Sequence, residues 1–262
     1  WVEALPGRVE ASPVGKRARP DVIFVQAPLV ASGDLAARFP QGSRLVRLQR
    51  GRNSPANLTP EFFAAADPQI SFDGARVLFA AQSAPTNPWQ IWEMSSDGSA
   101  KRQVTRRDRD CLRPVYLPRD LIAYTAVGTE GGQRVSQIYV SQLDGANAGP
   151  ITFGPGDFQI ETVLRDGRLL ISASSPLVAA GEQEHARELY ALRHDGTSLS
   201  SFRCNHGERS LRAQAAELDD GSVVYVKREV GGSEVGGELA QIRRGALRNS
   251  PLSPAAANAL SP

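Results

Sequence analysis

The chain has 262 residues, with 30 basic and 28 acidic side chains and a formal net charge of +2. This length is enough for a sizeable buried core in one large domain or two ordinary ones, and the balanced charge gives no electrostatic reason to expect a nucleic-acid partner. No apolar run approaches the roughly 18 residues that a membrane-spanning helix needs. The visible chain is therefore expected to contain no transmembrane segment.

The two ends of the chain differ in composition from its middle. Residues 1–19 are interrupted by Pro6, Gly7, Pro13 and Gly15 and carry several basic side chains, which predicts an N-terminal arm or linker. Residues 251–262 form a Pro/Ala-rich tail, and the Pro/Ala-rich sequence from position 250 onward is expected to make a poor strand. Residues 20–250 remain as one domain, because a single repeat period runs through them.

The repeat is marked by a turn glycine that recurs at intervals of 47, 47, 51 and 49 residues, at Gly51, Gly98, Gly145, Gly196 and Gly245. A half-buried alternating run precedes each glycine, at residues 44–48, 90–94, 137–141, 188–192 and 238–242. A more continuously apolar run lies upstream in each unit, at residues 22–25, 77–80, 121–124, 169–171 and 223–226. A run that is apolar on both faces predicts a strand packed between two neighbouring sheets.

Short turn signals connect these runs. Asp-Gly pairs precede three of the apolar runs, at 73–74, 166–167 and 220–221, and Arg119-Asp120 stands at the fourth. Asp-Gly predicts a two-residue hairpin in which both central residues have positive φ, and the aspartate also bonds its own backbone. Segments 57–59, 103–105 and 150–153 follow the glycine column and supply a fourth strand.

Each unit is thus strand, hairpin, strand, variable loop, strand, hairpin, strand. One such sheet cannot bury both of its faces, whereas sheets stacked around an axis can. The predicted fold class is all-β, a β-propeller of four-stranded blades with five visible repeats that fit within a six-bladed ring. The core between blades is expected to contain the bulky residues at matching registers: Phe24, Phe79, Tyr124, Ile171 and Tyr225, with Trp92, Tyr139 and Tyr190 in the third strands.

These runs resemble a known family. Residues 67–79 (DPQISFDGARVLF), 90–99 (QIWEMSSDGS) and 102–105 (RQVT) are similar to the WD40-like (PD40) repeat of TolB-like propellers. Residues 113–118 (RPVYLP) and 21–25 (DVIFV) resemble the propeller domain of hydrazine synthase alpha subunit-like proteins. The likeness covers about residues 20–250 and is sharpest between 60 and 145.

The resemblance implies a periplasmic or extracellular protein of about six blades that docks other subunits of an extracytoplasmic or membrane-bound complex, anchored where needed through sequence outside the visible chain. In the hydrazine synthase family the propeller accompanies c-type haem domains. Haem attachment needs Cys-x-x-Cys-His, and this chain has only Cys111 and Cys204, so we expect no haem and no other cofactor in it.

The two cysteines also bear on disulfide and metal chemistry. Both are predicted to lie in links on the same face of the ring but about two blades apart, so separate thiols are favoured over a disulfide, which needs Cα atoms within about 7 Å. One potential metal-ligand set combines Cys204, His206 and Glu208 with Asp108, Asp110 and Cys111, while His185 and His194 lie elsewhere. The spacing matches no closed zinc pattern, so no metal site is assigned.

Three function classes stay open. The first is a non-catalytic scaffold, since there is no Gly-x-Ser-x-Gly motif and no recognisable nucleophile arrangement, and no catalytic residue is assigned. The second is a ligand- or carbohydrate-binding propeller, and the third is the propeller domain of a multi-haem redox enzyme. For a scaffold, recognition is expected in the loops between second and third strands, at 28–41, 83–89, 127–135, 175–187 and 229–237. The candidate docking residues are Leu29, Val30, Leu35, Phe39, Pro88, Trp89, Leu177 and Val178.

Overall fold

The computed structural model describes residues 21–28, 39–130, 133–154, 156–174, 186–202, 210–229, 237–243 and 250–251. Within these residues, all regular secondary structure is β-strand. The strands form five antiparallel sheets in chain order. The first sheet contains β1 (Val22–Gln26), β2 (Arg44–Leu48) and β3 (Ala56–Asn57). The second contains β4 (Ala64–Ile70), β5 (Arg76–Gln82), β6 (Gln90–Ser95) and β7 (Arg102–Gln103).

The remaining three sheets repeat this meander. The third contains β8 (Asp110–Leu117), β9 (Leu121–Glu130), β10 (Gln133–Gln142) and β11 (Gly149–Pro150). The fourth contains β12 (Phe158–Val163), β13 (Leu169–Ser174), β14 (Arg187–Leu192) and β15 (Ser200–Ser201). The fifth contains β16 (Ser210–Glu217), β17 (Val223–Glu229), β18 (Glu238–Ile242) and β19 (Ser250–Pro251). The predicted β-propeller is confirmed, with four described strands in every blade except the first.

The second strands β5, β9 and β13 are buried because each packs against a neighbouring sheet on both faces. Phe79 on β5 packs towards the first sheet beside Leu45, whereas Leu78 packs towards the third sheet beside Ile122. The register of these strands is the same in every blade: Phe79 lies opposite Trp92 as Tyr124 lies opposite Tyr139. The predicted core residues Phe79, Tyr124, Ile171 and Tyr225 are each 0% exposed, which confirms the prediction for four of the five positions.

A threonine column fixes the outer strands. After the short outermost strand of the first three blades, one buried threonine hydroxyl oxygen accepts a hydrogen bond from the backbone N–H of the neighbouring strand. The bonds join Thr59 to Leu45 at 2.9 Å, Thr105 to Ile91 at 2.8 Å and Thr152 to Ile138 at 2.9 Å. This explains the repeated sequence segments after the glycine column: the fourth strands are only two residues long, and the threonine continues the pairing with a side chain.

The hairpin turns differ from the predicted two-residue form. At the three Asp-Gly pairs only the glycine has positive φ, 74° for Gly74. The aspartate stays outside that region and its carboxylate accepts the N–H two residues on, as Asp73 does from Ala75 at 3.0 Å. Both central residues are left-handed only at Arg119 and Asp120, with φ of 64° and 55°. The prediction of two positive-φ residues was therefore wrong for Asp-Gly, because the described loops between those strands are five residues long rather than two.

The glycine column has a packing role as well as a conformational one. Gly51, Gly98, Gly145 and Gly196 all have positive φ, and Gly245 lies outside the described residues. At Gly145 an added Cβ would lie 2.1 Å from the carbonyl oxygen of Val104 in the preceding blade, and at Gly196 it would lie 2.9 Å from that of Ile151. These turns therefore press against the end of the preceding blade, where no side chain fits.

The last described strand also departs from expectation. Ser250 and Pro251 pair with Gln241 and Ala240, so the chain is in a strand where the tail was expected to be poor strand. Proline is tolerated there because a two-residue outermost strand leaves its missing N–H on the unpaired side. Pro150 occupies the same position in β11. Residues 1–19 and 252–262 lie outside the described part of the chain.

The five described sheets follow one another in an arc, and within the described residues the two ends of this arc do not meet. Each blade contacts the next through the strands nearest the axis, from β4 to β8, β8 to β12 and β12 to β16. Among the described residues, no strand of the fifth sheet contacts a strand of the first. The described blades thus leave one face uncovered at each end of the arc.

The glycine column leads to a prediction about stability. Gly145→Ala is expected to lower the free energy of unfolding by about 3 kcal/mol, since it adds left-handed strain to a collision with backbone. Gly74→Ala is the matched control: its φ is also positive, but nothing lies within 4 Å of the added Cβ, so a loss of about 1 kcal/mol is expected. Urea unfolding of both variants measures the difference, and equal losses would contradict the packing role.

Candidate functional site

The predicted docking residues that the structure describes differ in their exposure to solvent. Leu29, Val30, Leu35, Leu177 and Val178 lie outside the described residues. Phe39 is 40% exposed and Pro88 is half-buried, so both remain available at the surface.

Trp89 is a core residue, and its prediction as an exposed docking anchor was wrong. Its side chain is 4% exposed and belongs to the cluster that joins the second and third blades, with Ile91 and Tyr116. Its backbone N–H donates to Asp110 Oδ1 at 2.8 Å, and its carbonyl accepts the N–H of Cys111 at 2.8 Å. Burial of a large aromatic ring stabilises the folded state, and here the Trp89 ring packs between the second and third blades.

One of the five predicted recognition loops is largely strand. The segment 127–135 was expected to be a loop, but β9 and β10 run on through it and pair as far as Glu130 and Gln133. The loop at 83–89 exists and is held by its own side chains: Gln82 Nε2 donates to the carbonyl of Asn87 at 2.7 Å, and Asn87 Nδ2 donates to Ser83 Oγ at 2.9 Å. Such a loop offers a fixed surface.

The front end of the arc exposes an aromatic ring at a position that is buried in every other blade. Phe24 pairs with Val46 at the register where Phe79 pairs with Trp92, yet Phe24 is 38% exposed and Phe79 is 0% exposed. In the other blades this position packs against the preceding sheet. The first sheet has no preceding sheet among the described residues, so the prediction that Phe24 is core was wrong. We call the face that carries Phe24 and Val22 the front face.

The rear end of the arc shows the complementary feature. Leu239 on β18 is 54% exposed, although the third-strand residues at the same register are buried to 2% exposure or less: Leu45, Ile91, Ile138 and Leu189. Those residues pack against the following sheet, as Ile91 does towards the third. We call the face of the fifth sheet that carries Leu239 the rear face. Sequence patterning assigned these strands correctly but carried no signal that their outer faces are uncovered.

Near the axis, a belt of hydrogen bonds joins four blades. The inner strands β4, β8 and β16 each bulge at a residue with positive φ, and Asp67 Oδ2 accepts the N–H of the bulge residue Arg113 at 3.0 Å. Arg113 Nη1 in turn lies 3.3 Å from Glu161 Oε2, which also accepts the N–H of Ala215 at 3.3 Å. The Glu161 side chain is 0% exposed, and its other oxygen accepts from Ser172 Oγ at 2.6 Å.

The belt lines a cavity of about 130 Å³ that contains both a carboxylate and a guanidinium. Its polar groups are largely satisfied by one another, which suits a structural role. No aromatic side chain lines it within the described residues, whereas a carbohydrate site would need one to stack on a sugar ring.

A second cavity of about 200 Å³ lies between the β4–β5 and β8–β9 turns. Tyr116 forms its base and donates its hydroxyl to Glu93 Oε1 at 2.9 Å. Arg76 and Arg102 flank the same carboxylate at 3.3 Å and 2.5 Å. Burial and the adjacent Glu93 carboxylate raise the pKa of Tyr116, so its hydroxyl stays protonated at neutral pH. Through the Glu93 carboxylate, this cluster joins β5, β6, β7 and β8.

The thiol of Cys111 is chemically protected. The residue is 0% exposed, and burial raises the pKa of its thiol to about 11. Asp110 is engaged by Trp89, and the Asp108 side chain is 91% exposed on the surface. In the part of the chain that the structure describes, no three His, Cys, Asp or Glu residues converge as metal ligands. Cys204, His206, Glu208 and His185 lie outside that part.

Comparison with known proteins starts from sequence. No protein-family model matches the chain. The sequence is 26% identical over 241 residues to hydrazine synthase subunit alpha of Kuenenia stuttgartiensis, which covers 83% of this chain and 28% of that protein.

Solved structures show the same relationship. Hydrazine synthase of Kuenenia stuttgartiensis superposes with a TM-score of 0.76 and 21% identity over 89% of this chain and 39% of that one. TolB from Acinetobacter baumannii superposes with a TM-score of 0.63 and 15% sequence identity, over 90% of this chain and 53% of that chain. A putative TolB from Agrobacterium tumefaciens superposes with a TM-score of 0.61 and 19% sequence identity, over 79% of this chain and 72% of that chain.

The chain thus has a β-propeller fold like that of TolB. Its sequence is similar to that of hydrazine synthase subunit alpha, of whose length it spans about a quarter. The resemblance inferred from the sequence is confirmed.

The protected thiol leads to a prediction. In a Cys204→Ser variant, Cys111 is expected to resist thiol reagents at pH 8, because a pKa of about 11 leaves roughly one thiol in a thousand as thiolate and burial blocks access. Absorbance from a chromogenic disulfide reagent should appear only after guanidinium is added. Rapid stoichiometric reaction of the folded protein would contradict the burial.

A buried ion pair within the fourth blade leads to another prediction. Asp157 lies 2.5 Å from Arg187 Nη1 and accepts a hydrogen bond from Ser136 Oγ. Burial alone would raise the pKa of the Asp157 carboxyl, but Arg187 and Ser136 outweigh it and the pKa is lowered. The unfolded chain therefore binds the proton more tightly, so the stabilisation is present above the unfolded pKa of about 3.9 and is lost as pH falls through the lower, folded value.

Asp157→Asn is accordingly expected to lose about 3 kcal/mol of unfolding free energy at pH 7, because it leaves the buried Arg187 without its counter-charge. The deficit relative to the unchanged protein should shrink below about pH 4. Asp108→Asn, at an exposed carboxylate, should change the free energy by less than about 0.5 kcal/mol. Urea unfolding across a pH series measures both, and a deficit that does not shrink at all between pH 7 and pH 2 would count against the ion pair.

Proposed function

We propose that this chain is a non-catalytic propeller scaffold that docks other protein subunits in an assembly outside the cytoplasm. The observation that carries the proposal is the pair of uncovered blade faces. Phe24 and Leu239 occupy registers that are buried in the other blades, so their strands are built for burial between sheets. Apolar side chains left exposed at positions that are buried elsewhere in the fold support an interface at each of these faces.

The two faces are suited to β-sheet partners. Elsewhere in the arc, the equivalent faces of neighbouring sheets pack against each other. A sheet that covers Phe24 or Leu239 would remove from water a side chain worth about 1.5–3 kcal/mol on full burial. Aromatic and aliphatic anchors of this type usually provide most of the binding energy of an interface. A blade from further sequence or from a partner subunit meets this requirement.

The proposed location outside the cytoplasm rests on the likeness to TolB and to hydrazine synthase subunit alpha. Within the described residues there is no helix of the length and apolarity needed to cross a membrane. Any membrane association would therefore be sought in a partner or in other sequence.

A second candidate function is the propeller domain of a multi-haem redox enzyme. It is supported by the sequence similarity to hydrazine synthase subunit alpha across 83% of this chain. This chain lacks a Cys-x-x-Cys-His motif, so the haem would be carried by other sequence or another subunit. Purification of the native assembly, followed by haem absorption spectroscopy, distinguishes the two: a haem spectrum favours the enzyme domain, and its absence favours the scaffold.

The scaffold proposal is tested by changing the uncovered faces. Phe24→Asp and Leu239→Asp are each expected to weaken retention of the subunit in its native assembly at least about tenfold, because a charge would enter an apolar interface. Both side chains are exposed, so the free subunit should unfold at nearly the same urea concentration as before. Affinity purification with quantitative mass spectrometry measures retention.

Phe72→Asp is the matched control, since Phe72 is 74% exposed on a hairpin turn away from both faces. It should leave retention unchanged. Unchanged retention in the Phe24 and Leu239 variants, with the assembly intact, would overturn the docking role of the two faces.

A further inference from the structure

The turn between the first and second strands of a blade, which we call the inner turn, has the same hydrogen bonding in the second and fourth blades. In both turns a glycine N–H donates to the carbonyl three residues earlier, at 2.9 Å in the second blade and 2.8 Å in the fourth. The residue after that carbonyl is Phe72 in the second blade and Arg165 in the fourth. These two side chains therefore start from equivalent positions beside the next blade.

The Arg165 guanidinium spans the gap between the inner turns of the fourth and fifth blades. Its Nη1 donates to the carbonyl of Asp219 at 3.1 Å, and its Nη2 donates to the Asp219 carboxylate. The backbone N–H of Arg165 donates to Glu217 Oε2 at 2.6 Å. A guanidinium in this gap thus finds a carbonyl and a carboxylate as acceptors.

The equivalent gap between the second and third blades is the second cavity, of about 200 Å³. Counting along the inner strands from their equivalent pairs places Pro118 at the position of Asp219. Phe72, at the position of Arg165, is 74% exposed and leaves the gap open. The cavity is therefore the place that a guanidinium occupies between the fourth and fifth blades.

Two carboxylates line this cavity, those of Asp73 and Asp120. Asp73 Oδ1 accepts hydrogen bonds from Ser71 Oγ at 2.5 Å and from the N–H of Ala75 at 3.0 Å. These bonds lower the pKa of the Asp73 carboxyl, so it is ionised at neutral pH. Among the described residues, Asp73 Oδ2 and the Asp120 carboxylate have no hydrogen-bond partner.

Two arginines line the cavity as well, and they differ in how far they oppose a cation. Arg76 Nη1 lies 3.3 Å from Glu93 Oε1, so its charge is balanced within the protein. Arg119 is exposed at the rim, where water and salt screen its charge. The two carboxylates therefore outnumber the one guanidinium that no described carboxylate balances.

We propose that the second cavity binds the guanidinium of an arginine-like ligand, with the Phe72 ring against the guanidinium plane and the Asp73 and Asp120 carboxylates as acceptors. Guanidinium groups stack on aromatic faces and form paired hydrogen bonds with carboxylates. The ligand takes the place that Arg165 has in the other gap. The proposal does not rest on the scaffold function, since the cavity is separate from the front and rear faces.

The first experiment titrates the chain with N-acetyl-L-arginine amide and follows binding by calorimetry. Saturable binding with a dissociation constant of about 1 mM or below is expected. The neutral citrulline analogue and the anionic glutamate analogue of this probe should each bind at least about tenfold more weakly, because neither provides a cation for the carboxylates. Absence of saturable binding, or equal or tighter binding of either analogue, would overturn the proposal.

Free L-arginine distinguishes two sources of the same chemistry. Binding no tighter than that of the amide probe identifies an arginine side chain within a peptide as the ligand. Tighter binding identifies the free amino acid.

Substitutions at the rim test the sign of the charge. Asp120→Asn keeps a residue type that tolerates the left-handed backbone, with φ of 55°, and should weaken binding of the arginine probe at least about fivefold. Asp195→Asn is the matched control, because Asp195 is an exposed turn aspartate that does not line the cavity, and it should leave the affinity unchanged. Arg119→Ala should strengthen binding about two- to threefold by removing the rim cation. Weaker binding in Arg119→Ala would indicate an anion site and overturn the proposal.

Phe72→Arg tests the location by placing a guanidinium where Arg165 has one. The new side chain is expected to occupy the cavity and to weaken binding of the arginine probe at least about tenfold by competing for the same carboxylates. The urea midpoint of this variant, expected to equal or exceed that of the unchanged chain, verifies that it is folded. Unchanged probe binding by folded Phe72→Arg would overturn the assignment of the site to this cavity.

Discussion

The packing of one sheet face against the next is the interaction on which the rest of this structure depends. The second strands of the three middle sheets are apolar on both sides because each lies between two sheets, and the same register recurs from Phe79 to Tyr225. A four-stranded sheet alone would leave half of this surface in water. Every other feature, from the short outer strands to the turn glycines, serves to bring successive sheets to the same spacing.

The small recurring devices act at the edges of that packing. A threonine hydroxyl replaces a backbone acceptor where the fourth strand is too short to continue, as at Thr105. A glycine allows the turn of one blade to approach the backbone of the preceding blade, as Gly145 does at Val104. Around the axis, Arg113 and Glu161 join inner strands that have no side-chain room for a larger core. The charged residues near the axis are thus engaged in holding blades together.

The ends of the arc each have a sheet face that no described sheet covers. A face that is built for burial but lies exposed raises the free energy of the isolated molecule, and covering it is favourable. Phe24 and Leu239 mark two such faces, one at each end, and the homology to a subunit of a larger enzyme is consistent with a module that is completed by other protein. The cavity near the axis that the described residues line is small, about 130 Å³, and its polar groups are largely paired with one another.

The sequence by itself determined the strands, their order and the fold class, because period-two alternation, apolar runs and turn glycines are local signals that repeat about every 49 residues. It also identified four of the five core positions in the second strands. Only the tertiary structure decided which of these strands have neighbours. Phe24 and Phe79 occupy the same local pattern, and the difference between 38% and 0% exposure comes from a sheet that is present in one case and not in the other. Trp89 shows the reverse: it looks like a loop residue in the sequence and is buried, because the chain brings a second blade over it. Burial depends on contacts between residues far apart in the chain, and no local pattern records them.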